Sequence, residues 1–437
     1  MRTILQFLKA VFTPRNLFHY DNLLALVIFL LVLKAIGSVE IEFLNPVSDA
    51  FSDVELTDIV FSQFNKNDEY REVRSGEVEF DTNIVLVNIG HMSRGEIGDL
   101  LNIINADAPA VVGLDAMFRK PKDDVEQDMY FANAIANTPN LVLACEALDF
   151  HHNSLDDKYG LGKFDGITYS YSLFTENASY LGYVNMQTEE DEDDIYDEFA
   201  ICRKFIPEAT INTTQDTLHS FAIEIVRHYA PEAMKKLHKR NLASEVINYV
   251  GNLEYYDKAH FKAYDWYELF EGQVEEGAFA NKIVLLGFLG ETLDQRTDED
   301  RFFTPLNAKY IGKAHKDMYG VVVHANIIST VLKGNYIDEM NKYWGYFWGL
   351  LLSYLVFAIY RPIYYDYKVW YDGVTKLLGI VVVFLVMTLI GYLFMNHDYE
   401  FKFPAAFLGV VLLAGDYLEI YYGLGKNIAR KLKRKKY

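Results

Sequence analysis

The sequence predicts one α/β domain with a mainly parallel sheet, held at a membrane by one helix before it and three helices after it. Three observations give this prediction. Four stretches are apolar enough to cross a bilayer, and short buried-strand patterns alternate with helical patterns between the first two of them. No linker-like composition divides this long segment, so we expect it to fold as a single extracytoplasmic domain.

The four apolar stretches define the membrane part of the chain. A helix needs about 20 apolar residues to cross roughly 30 Å of hydrocarbon. This length predicts transmembrane helices at residues 20–39, 344–360, 377–395 and 403–422. The first stretch is followed by only a weak cleavage site, and the charged segment before it is long for a signal peptide. We therefore interpret the first stretch as an uncleaved anchor.

Basic residues beside these stretches predict how the chain crosses the membrane. They lie before the first helix, between the second and third, and after the fourth: Arg2, Lys9 and Arg15; Arg361, Lys368 and Lys376; and seven residues from Lys426 to Lys436. Because such residues stay on the cytoplasmic side, residues 1–19 and the basic tail 423–437 are expected in the cytoplasm. Residues 40–340 are then expected outside.

The first half of this outer segment alternates strands and helices. Asn83–Gly90, Ala110–Phe118 and Leu141–Leu148 are short apolar runs, the pattern of buried strands. Ser93 stands three residues before Glu96, the spacing of a helix capping box. Strands separated by single helices indicate parallel pairing. The inward residues expected for the two helices are Ile97, Leu100, Leu101 and Ile104 in the first, and Met129, Ala132 and Ile135 in the second, at Asp124–Asn137.

The second half of the outer segment has longer polar connections. Strands are predicted at Tyr180–Met186, Ala200–Ile211, Val246–Val250 and Lys282–Gly287. Helices are predicted at Asp216–Tyr229, Glu232–Arg240 and Tyr319–Lys333, the last of them ended by Gly334. The chain then runs directly into the second membrane helix.

Several short motifs follow one another in a fixed order along the outer segment. They are IVLVNIG, VVGLDAMF, LGYVNM with Arg203 and Pro207 after it, INYVG, KIVLLG, Phe303-Thr304-Pro305-Leu306 and GVVVHAN from Gly320 to Asn326. In this order they resemble the CHASE sensory domain of type two, an extracellular sensor module of bacterial cyclases and kinases. The resemblance covers about residues 40–340, and it implies a multi-pass inner-membrane protein whose large domain is periplasmic.

The chain departs from the family pattern at two places. The family usually has an acidic turn after the first strand, where this sequence has His91-Met92-Ser93. Members also commonly carry a catalytic output domain after the last helix, where this sequence has only its basic tail. We therefore expect a sensor without enzymatic output of its own, which passes its signal to a separate membrane or cytoplasmic partner.

A ligand site is expected beyond the carboxyl ends of the parallel strands, where open α/β sheets bind ligands. The candidate ligand-binding residues there are His91, Ser93, Arg94, Asp115, Glu146, Glu291 and Asp294. Each also has a structural interpretation, because Asp115 and Glu146 can cap helices or pair with cations and Gly290 can serve only to form a turn. His324, in an apolar helix, is predicted to be a hydrogen-bonded structural residue.

The sequence gives no support for a metal, a cofactor or catalysis. The acidic run Glu189–Glu198 can offer oxygen ligands to Ca²⁺, but it lacks the glycine and distal glutamate of a calcium loop, so we interpret it as a solvated turn. His151-His152 has no third ligand at metal spacing. We expect no catalytic residue, no metal and no cofactor.

Charge and cysteine content limit the partners further. The net charge is −20, and the acid excess lies in the outer segment, which argues against a nucleic-acid partner. Cys145 and Cys202 are either a disulfide or two buried thiols. Asp416 and Glu419 lie on one face of the fourth membrane helix, where we expect them to pack within the bundle or to dock a partner.

Two functions are consistent with these features. The first is a membrane-anchored extracytoplasmic sensor, possessing no enzymatic activity, that binds an unknown ligand and signals through its helix bundle, alone or as a homo-oligomer. The alternative is a structural or scaffolding subunit of an envelope membrane complex, whose outer domain binds other proteins.

Overall fold

A computed structural model describes residues 13–37, 80–150, 162–188, 201–253, 259–295, 297–307 and 315–434 of the chain. The chain divides into two units: Phe61–Ile337, the outer domain, and Met1–Val60 with Asp338–Tyr437, the helix bundle. The acidic run Glu189–Glu198 and the pair His151-His152 lie outside the described residues.

The described residues form helices and strands that we number in chain order. The helices are α1 (Pro14–Leu17), α2 (Tyr20–Gly37), α3 (Arg94–Ala106), α4 (Val125–Ala136), α5 (Ser172–Thr175), α6 (Phe221–Tyr229), α7 (Pro231–Arg240), α8 (Trp266–Phe270), α9 (Gly320–Lys333), α10 (Lys342–Asp366), α11 (Tyr371–His397) and α12 (Ala406–Arg434). The strands are β1 (Ile84–Asn88), β2 (Val111–Asp115), β3 (Leu141–Phe150), β4 (Gly162–Thr168), β5 (Tyr180–Tyr183), β6 (Gln187–Thr188), β7 (Cys202–Phe205), β8 (Glu208–Ile211), β9 (Thr217–His219), β10 (Glu245–Val246), β11 (Asn252–Leu253), β12 (Ala259–Asp265), β13 (Ile283–Gly287), β14 (Arg301–Phe302), β15 (Met318–Tyr319), β16 (Asp338–Glu339) and β17 (Tyr399–Glu400).

A large, mainly parallel sheet forms the centre of the outer domain, as the sequence predicts. Its strand order is β11-β12-β1-β13-β2-β3-β4-β8-β9, and β5 also pairs with β3. The central strands β12, β1, β13, β2 and β3 are all parallel. The second half of β3 pairs with β4 in the antiparallel sense, so the sheet continues past its parallel core. The carboxyl ends of the central strands therefore share one edge of the sheet.

Helices cover both faces of this sheet. On one face, Val112 and Leu114 of β2 pack in a core cluster with residues of α3 and α4 such as Leu100 and Phe131. On the other face, Gly113 lies against α6, because a Cβ at this position would come within 2.7 Å of Ile225. Asp115 has the same side-chain parity as Gly113 along the strand. Its carboxyl group therefore belongs to the face that α6 covers.

The first predicted helix is confirmed in detail. Ser93 Oγ accepts from the backbone N–H of Glu96, and a Glu96 carboxylate oxygen accepts from the backbone N–H of Ser93 at 2.7 Å. These reciprocal bonds form the capping box that the spacing predicts. The four apolar residues expected to face inward, Ile97, Leu100, Leu101 and Ile104, are all buried.

One inward residue of the second helix was predicted wrongly. Met129 is 48% exposed, whereas Ala132 and Ile135 are buried. Asp128 takes the inward position instead, because its carboxylate pairs with the buried guanidinium of Arg94. A hydrophobicity pattern cannot predict a buried ion pair between two helices. For this reason the predicted inward face of α4 is wrong by one residue, Met129 in place of Asp128.

Three other predicted elements differ from the structure. The expected helix Asp216–Tyr229 begins only at Phe221, because Thr217–His219 pairs with β8 as the antiparallel strand β9. The run Ala200–Ile211 contains two strands, β7 and β8, separated at Pro207, which has no N–H to donate. Within Val246–Val250, only Val246 belongs to a strand. In contrast, Gly334 ends α9 with φ +65°, as predicted.

Among the described residues, four helices are long and apolar enough to cross a membrane, one N-terminal and three C-terminal, as predicted, and all four belong to the helix bundle. Arg361, late in α10, lies 3.9 Å from the carboxylate of Asp21 at the start of α2. The hydroxyl of Tyr421, late in α12, donates to Asp21 at 3.0 Å. Both α10 and α12 therefore run antiparallel to α2. Asp416 of α12 lies 3.6 Å from the ammonium of Lys376 on α11.

Small residues allow α10 and α12 to come very close together. Gly345, Gly349 and Ser353 recur every four residues and are buried on one face of α10. A Cβ at Gly345 would overlap the backbone carbonyl of Lys402, and one at Gly349 would overlap the ring of Phe407. This spacing is the small-residue packing pattern of membrane helices.

A short parallel ladder joins the segment before α10 to the loop between α11 and α12. The backbone N–H of Asp338 donates to Asp398 at 2.8 Å, and that of Met340 donates to Glu400 at 2.9 Å. The ammonium of Lys402 lies 2.7 Å from the carboxylate of Glu339. We call this ladder, formed by β16 and β17, the clasp.

Candidate functional site

Two polar side chains connect the loops at the carboxyl edge of the sheet through hydrogen bonds. Asn88 ends β1, and its amide donates to a carboxylate oxygen of Asp265 at 2.7 Å and to the carbonyl of Gly290 at 3.0 Å. Its carbonyl oxygen accepts from Leu289, and Asp265 accepts from Leu293. Neither residue belongs to the candidate site predicted from the sequence, although each is a polar residue at the end of a strand. Burial raises the pKa of Asp265, partly offset by these hydrogen bonds.

The loop that follows β13 holds two of the predicted site residues at the surface and packs against a third. Gly290 has φ +101°, and a Cβ there would lie 2.7 Å from a backbone carbonyl, so the turn requires glycine. Glu291 and Asp294 are exposed. The ring of His91 packs on that of Phe288, with ring centroids 5.1 Å apart. These residues lie on the rim of the edge and do not converge on a buried centre.

Two predicted ligand residues already have structural partners. Ser93 belongs to the capping box. The guanidinium of Arg94 pairs with Asp128 at 2.5 Å, donates to the carbonyl of Lys120, and lies over the ring of Phe174 at 5.0 Å. Only 6% of the Arg94 side chain is exposed, so its charge holds the chain after β2 against α4.

Glu146 has the cationic partner that its structural interpretation anticipates. Its carboxylate forms an ion pair with the guanidinium of Arg119, and both side chains are exposed. An exposed pair of this kind contributes little to stability. It makes Glu146 a useful reference position for experiments on the site.

Asp115 and His324 meet in the interior at this edge of the sheet. Asp115 ends β2, and a carboxylate oxygen lies 4.0 Å from Nε2 of His324 in α9, with 14% and 3% of the two side chains exposed. Burial, followed by the nearby charge of Asp300, raises the pKa of Asp115 to about 8. Burial lowers the pKa of His324 to about 3, so its imidazole is neutral at physiological pH.

His324 does not form the hydrogen bond that the sequence analysis predicts. Neither ring nitrogen has a hydrogen-bond partner within the described part of the chain. Its ring packs edge-to-face on Phe221 with centroids 5.0 Å apart. By contrast, the side chain of Asn326 on the same helix has hydrogen-bond partners for both of its polar atoms. Its oxygen accepts from the backbone N–H of Val250 at 2.8 Å, and its amide donates to the backbone carbonyl of Gly251. An unpaired buried polar group costs about 1–3 kcal/mol, so the two unpaired nitrogens make His324 a candidate for ligand binding.

Asp300 connects this pair to the start of α9. Its backbone carbonyl accepts from the N–H of Gly320 at 3.0 Å, and a Cβ at Gly320 would lie 3.4 Å from both of its carboxylate oxygens. Desolvation, followed by the charge of Glu299, raises the pKa of Asp300 to about 6, although part of the residue is exposed. We call Asp115, Asp300 and His324 the edge cluster.

A second group of titratable residues surrounds Glu224 in α6. His219 lies 3.0 Å from a carboxylate oxygen of Glu224 and 3.6 Å from one of Glu208. Hydrogen bonds with Glu208 and then Glu224 raise the pKa of His219 to about 9. The bond with His219 is the main reason that the pKa of Glu208 falls to about 2. Arg227 and His228 also contact Glu224.

We predict that this group makes the outer domain less stable in alkali. A raised histidine pKa adds stability that is complete below the unfolded value of about 6.5 and is lost as the pH rises through about 9. The difference in unfolding free energy between the wild type and His219→Gln should therefore shrink by about 1–3 kcal/mol from pH 6 to pH 10. Urea unfolding at each pH measures it. His315→Gln is the control, because its pair with Asp298 is exposed; an unchanged difference would contradict the assignment.

The described residues offer no preformed metal centre. Within the described ranges, no three His, Cys, Asp or Glu side chains are arranged to hold a metal ion. Cys145 and Cys202 are free thiols and both are buried. They therefore match the second of the two alternatives that the sequence left open, two buried thiols instead of a disulfide. Burial raises the pKa of each thiol to about 12.

Comparison with known proteins adds one match. The family model of the CHASE2 domain matches residues 27–360, more than half of the 437-residue chain. The matched range contains every element from β1 to β16, and it therefore contains the edge cluster. No curated protein and no solved structure matches the chain.

Proposed function

Because the chain belongs to the CHASE2 domain family, a family of sensory domains, we propose that it is a membrane-anchored sensor that passes a signal from its outer domain through its helix bundle to a separate partner protein. The four candidate membrane helices, together with a sensory domain, fit an inner-membrane protein with an extracytoplasmic domain. The proposal includes cytoplasmic termini, as the basic residues predict, and no enzymatic output from this chain.

The edge cluster is the ligand site in this proposal. His324 carries the argument, because it is 2% exposed and neither of its ring nitrogens has a partner among the described residues. Ligand sites combine apolar walls with a few convergent polar groups and titratable groups of shifted pKa. The proposal includes His91, Glu291 and Asp294 as an outer rim, because they follow β1 and β13 at the same carboxyl edge of the sheet. We leave Ser93, Arg94 and Glu146 outside it, because their polar groups already have partners.

The covalent path from this site to the membrane is short. His324 lies in the second turn of α9, which ends at Lys333, and α10 begins at Lys342. The segment between these helices forms the β16 half of the clasp, which bonds to the loop between α11 and α12. A change in the position of α9 would therefore reach α10 directly and α11 and α12 through the clasp. A ligand can cause such a change only if it binds one arrangement more tightly than the other.

A variant of the cluster should change the arrangement of the bundle. We expect His324→Leu, in the full chain in lipid nanodiscs, to shift the distance between nitroxide labels on Val369→Cys and Leu424→Cys. Both positions are exposed, and the buried Cys145 and Cys202 should stay unlabelled. The expected change in the populations of two distances is at least about threefold, a coupling free energy of about 0.7 kcal/mol. Pulsed electron paramagnetic resonance measures these populations.

The controls separate coupling from misfolding and from scaffolding. Glu146→Gln should leave the label distances unchanged, because its ion pair is exposed. Circular dichroism must show that His324→Leu is folded. A folded variant with unchanged distances would contradict signalling from this site and favour the scaffolding alternative.

Labelling of Val369→Cys in inverted and right-side-out vesicles with an impermeant maleimide tests the orientation of the chain in the membrane. We expect reaction only from the cytoplasmic side.

A further inference from the structure

We propose that the ligand of the edge cluster is the proton, so that this domain reports the acidity of the compartment outside the membrane. The inference rests on the proposed function, because it names the ligand of the same site. The first observation is the short distance between the Asp115 carboxylate and the His324 imidazole. The 4.0 Å between Asp115 Oδ2 and His324 Nε2 is longer than a hydrogen bond but too short to admit another residue-sized group.

The surroundings of the cluster leave little room for a larger ligand. The His324 ring packs on Phe221. Gly287 of β13 is the residue paired with Asp115 in the sheet. A Cβ at Gly287 would lie 2.8 Å from Val321 of α9. Side chains therefore pack closely on this face of β2, and the exposed fractions of Asp115 and His324 are 14% and 3%. A proton is the ligand that needs no cavity.

The charged groups around Asp115 leave it in an acidic setting. Asp300, in the loop before β14, is the charged residue near Asp115, and Glu299 precedes Asp300 in the chain. From α9, Asp115 is faced by His324, which is neutral. From α6 the facing residues are apolar, and Glu224 of that helix is bound to His219, Arg227 and His228. 

Among the residues that the structure describes, two arginines and one histidine close in sequence to the cluster contact groups other than Asp115. Arg119 pairs with Glu146. Arg301 follows Asp300 directly, and its guanidinium lies 5.2 Å from the ring centroid of Tyr319 and donates to the carbonyl of Thr297. His315 lies 3.7 Å from the carboxylate of Asp298. Ionisation of Asp115 therefore places a negative charge in the interior of the domain, near the negative charge of the exposed Asp300.

The sign of the response follows from these charges. The pKa of Asp115 is raised to about 8 and that of Asp300 to about 6, so the folded domain binds protons that the unfolded chain has already released. Such groups stabilise the fold less as the pH rises. As the pH rises from 6 to 9, Asp300 and then Asp115 lose their protons, and the two negative charges repel each other. Because Asp300 bonds to the first residue of α9 and Asp115 faces His324, the repulsion acts on the start of α9.

Infrared spectroscopy of the full chain in nanodiscs tests whether Asp115 takes up the proton. We expect a carboxylic-acid carbonyl band that is present at pH 6 and lost by pH 9. The component of this band that is lost near pH 8 should be missing in Asp115→Asn, in which the Asp300 carboxyl, with a pKa of about 6, still contributes near pH 6. That component should be kept in Glu146→Gln. Asp115→Glu restores a titrating carboxyl and should restore a band. If the wild type shows no band that depends on Asp115, the proton is not the ligand.

The nitroxide distances test whether this proton affects the bundle. We expect the wild-type populations to change at least threefold between pH 6 and pH 9, and we expect Asp115→Asn to keep the pH 6 populations throughout. The measurement is repeated in a His219→Gln background, since His219 also titrates toward alkaline pH. If His324→Leu shifts the distances but pH does not, the proton is excluded and the sensor function remains. If neither shifts them, both proposals fail.

Discussion

Replacing Gly345 and Gly349 together by alanine is expected to separate α10 from α12 and to destabilise the helix bundle by about 3 kcal/mol or more. A new Cβ at Gly345 meets the backbone carbonyl of Lys402, which cannot rotate away as a side chain can. Lys402 is also held by its ion pair with Glu339 in the clasp. Overpacking of this kind typically costs about 1–3 kcal/mol per site, and the two sites lie one turn apart on the same face.

Matched glycines in the partner helix give the control. Gly409 and Gly423 of α12 have open space where a Cβ would be. Alanine is the better helix former by about 1 kcal/mol, so Gly409→Ala and Gly423→Ala should be neutral or stabilising. Thermal unfolding of the full chain in detergent, followed by circular dichroism, compares the variants. Equal unfolding temperatures for both pairs of variants would refute close packing of α10 on α12.

Replacing Arg94 by methionine is expected to lower the stability of the outer domain by about 3–5 kcal/mol. The variant leaves the carboxylate of Asp128 buried without its cation, since 4% of that side chain is exposed. It also removes the donor to the carbonyl of Lys120 and the cation over Phe174. Urea unfolding of the full chain, followed by circular dichroism, measures the loss.

The double variant separates the ion pair from simple loss of packing. Arg94→Met with Asp128→Leu removes both charges, and most of the lost stability should return, because apolar replacement of a buried pair is often neutral. Lys235→Met breaks an exposed pair with Glu232 and should cost less than about 1 kcal/mol. A double variant as unstable as Arg94→Met would show that the charge of Asp128 is not the cause.

The sequence by itself determined the elements whose signals are local. The membrane helices were predictable because length and hydropathy decide whether a helix crosses a bilayer. The core strands β1, β2, β3 and β13 were predictable because parallel strands buried on both faces read as continuous apolar runs. The capping box at Ser93 was predictable because both partners lie within one turn. The succession of these strands and helices also implied the mainly parallel sheet.

Only the tertiary structure decided features in which distant residues meet. Met129 faces outward because Asp128 pairs with Arg94 from another helix. Thr217–His219 forms a strand because β8 offers it an unpaired edge. The place of Asp115 at the carboxyl edge of the sheet was predictable, because it ends the apolar run that forms β2. Its neighbours were not, because Asp300 and His324 reach it from loops and helices far along the chain. Burial and long-range proximity set the charge state of this cluster, and a linear pattern of residues encodes neither.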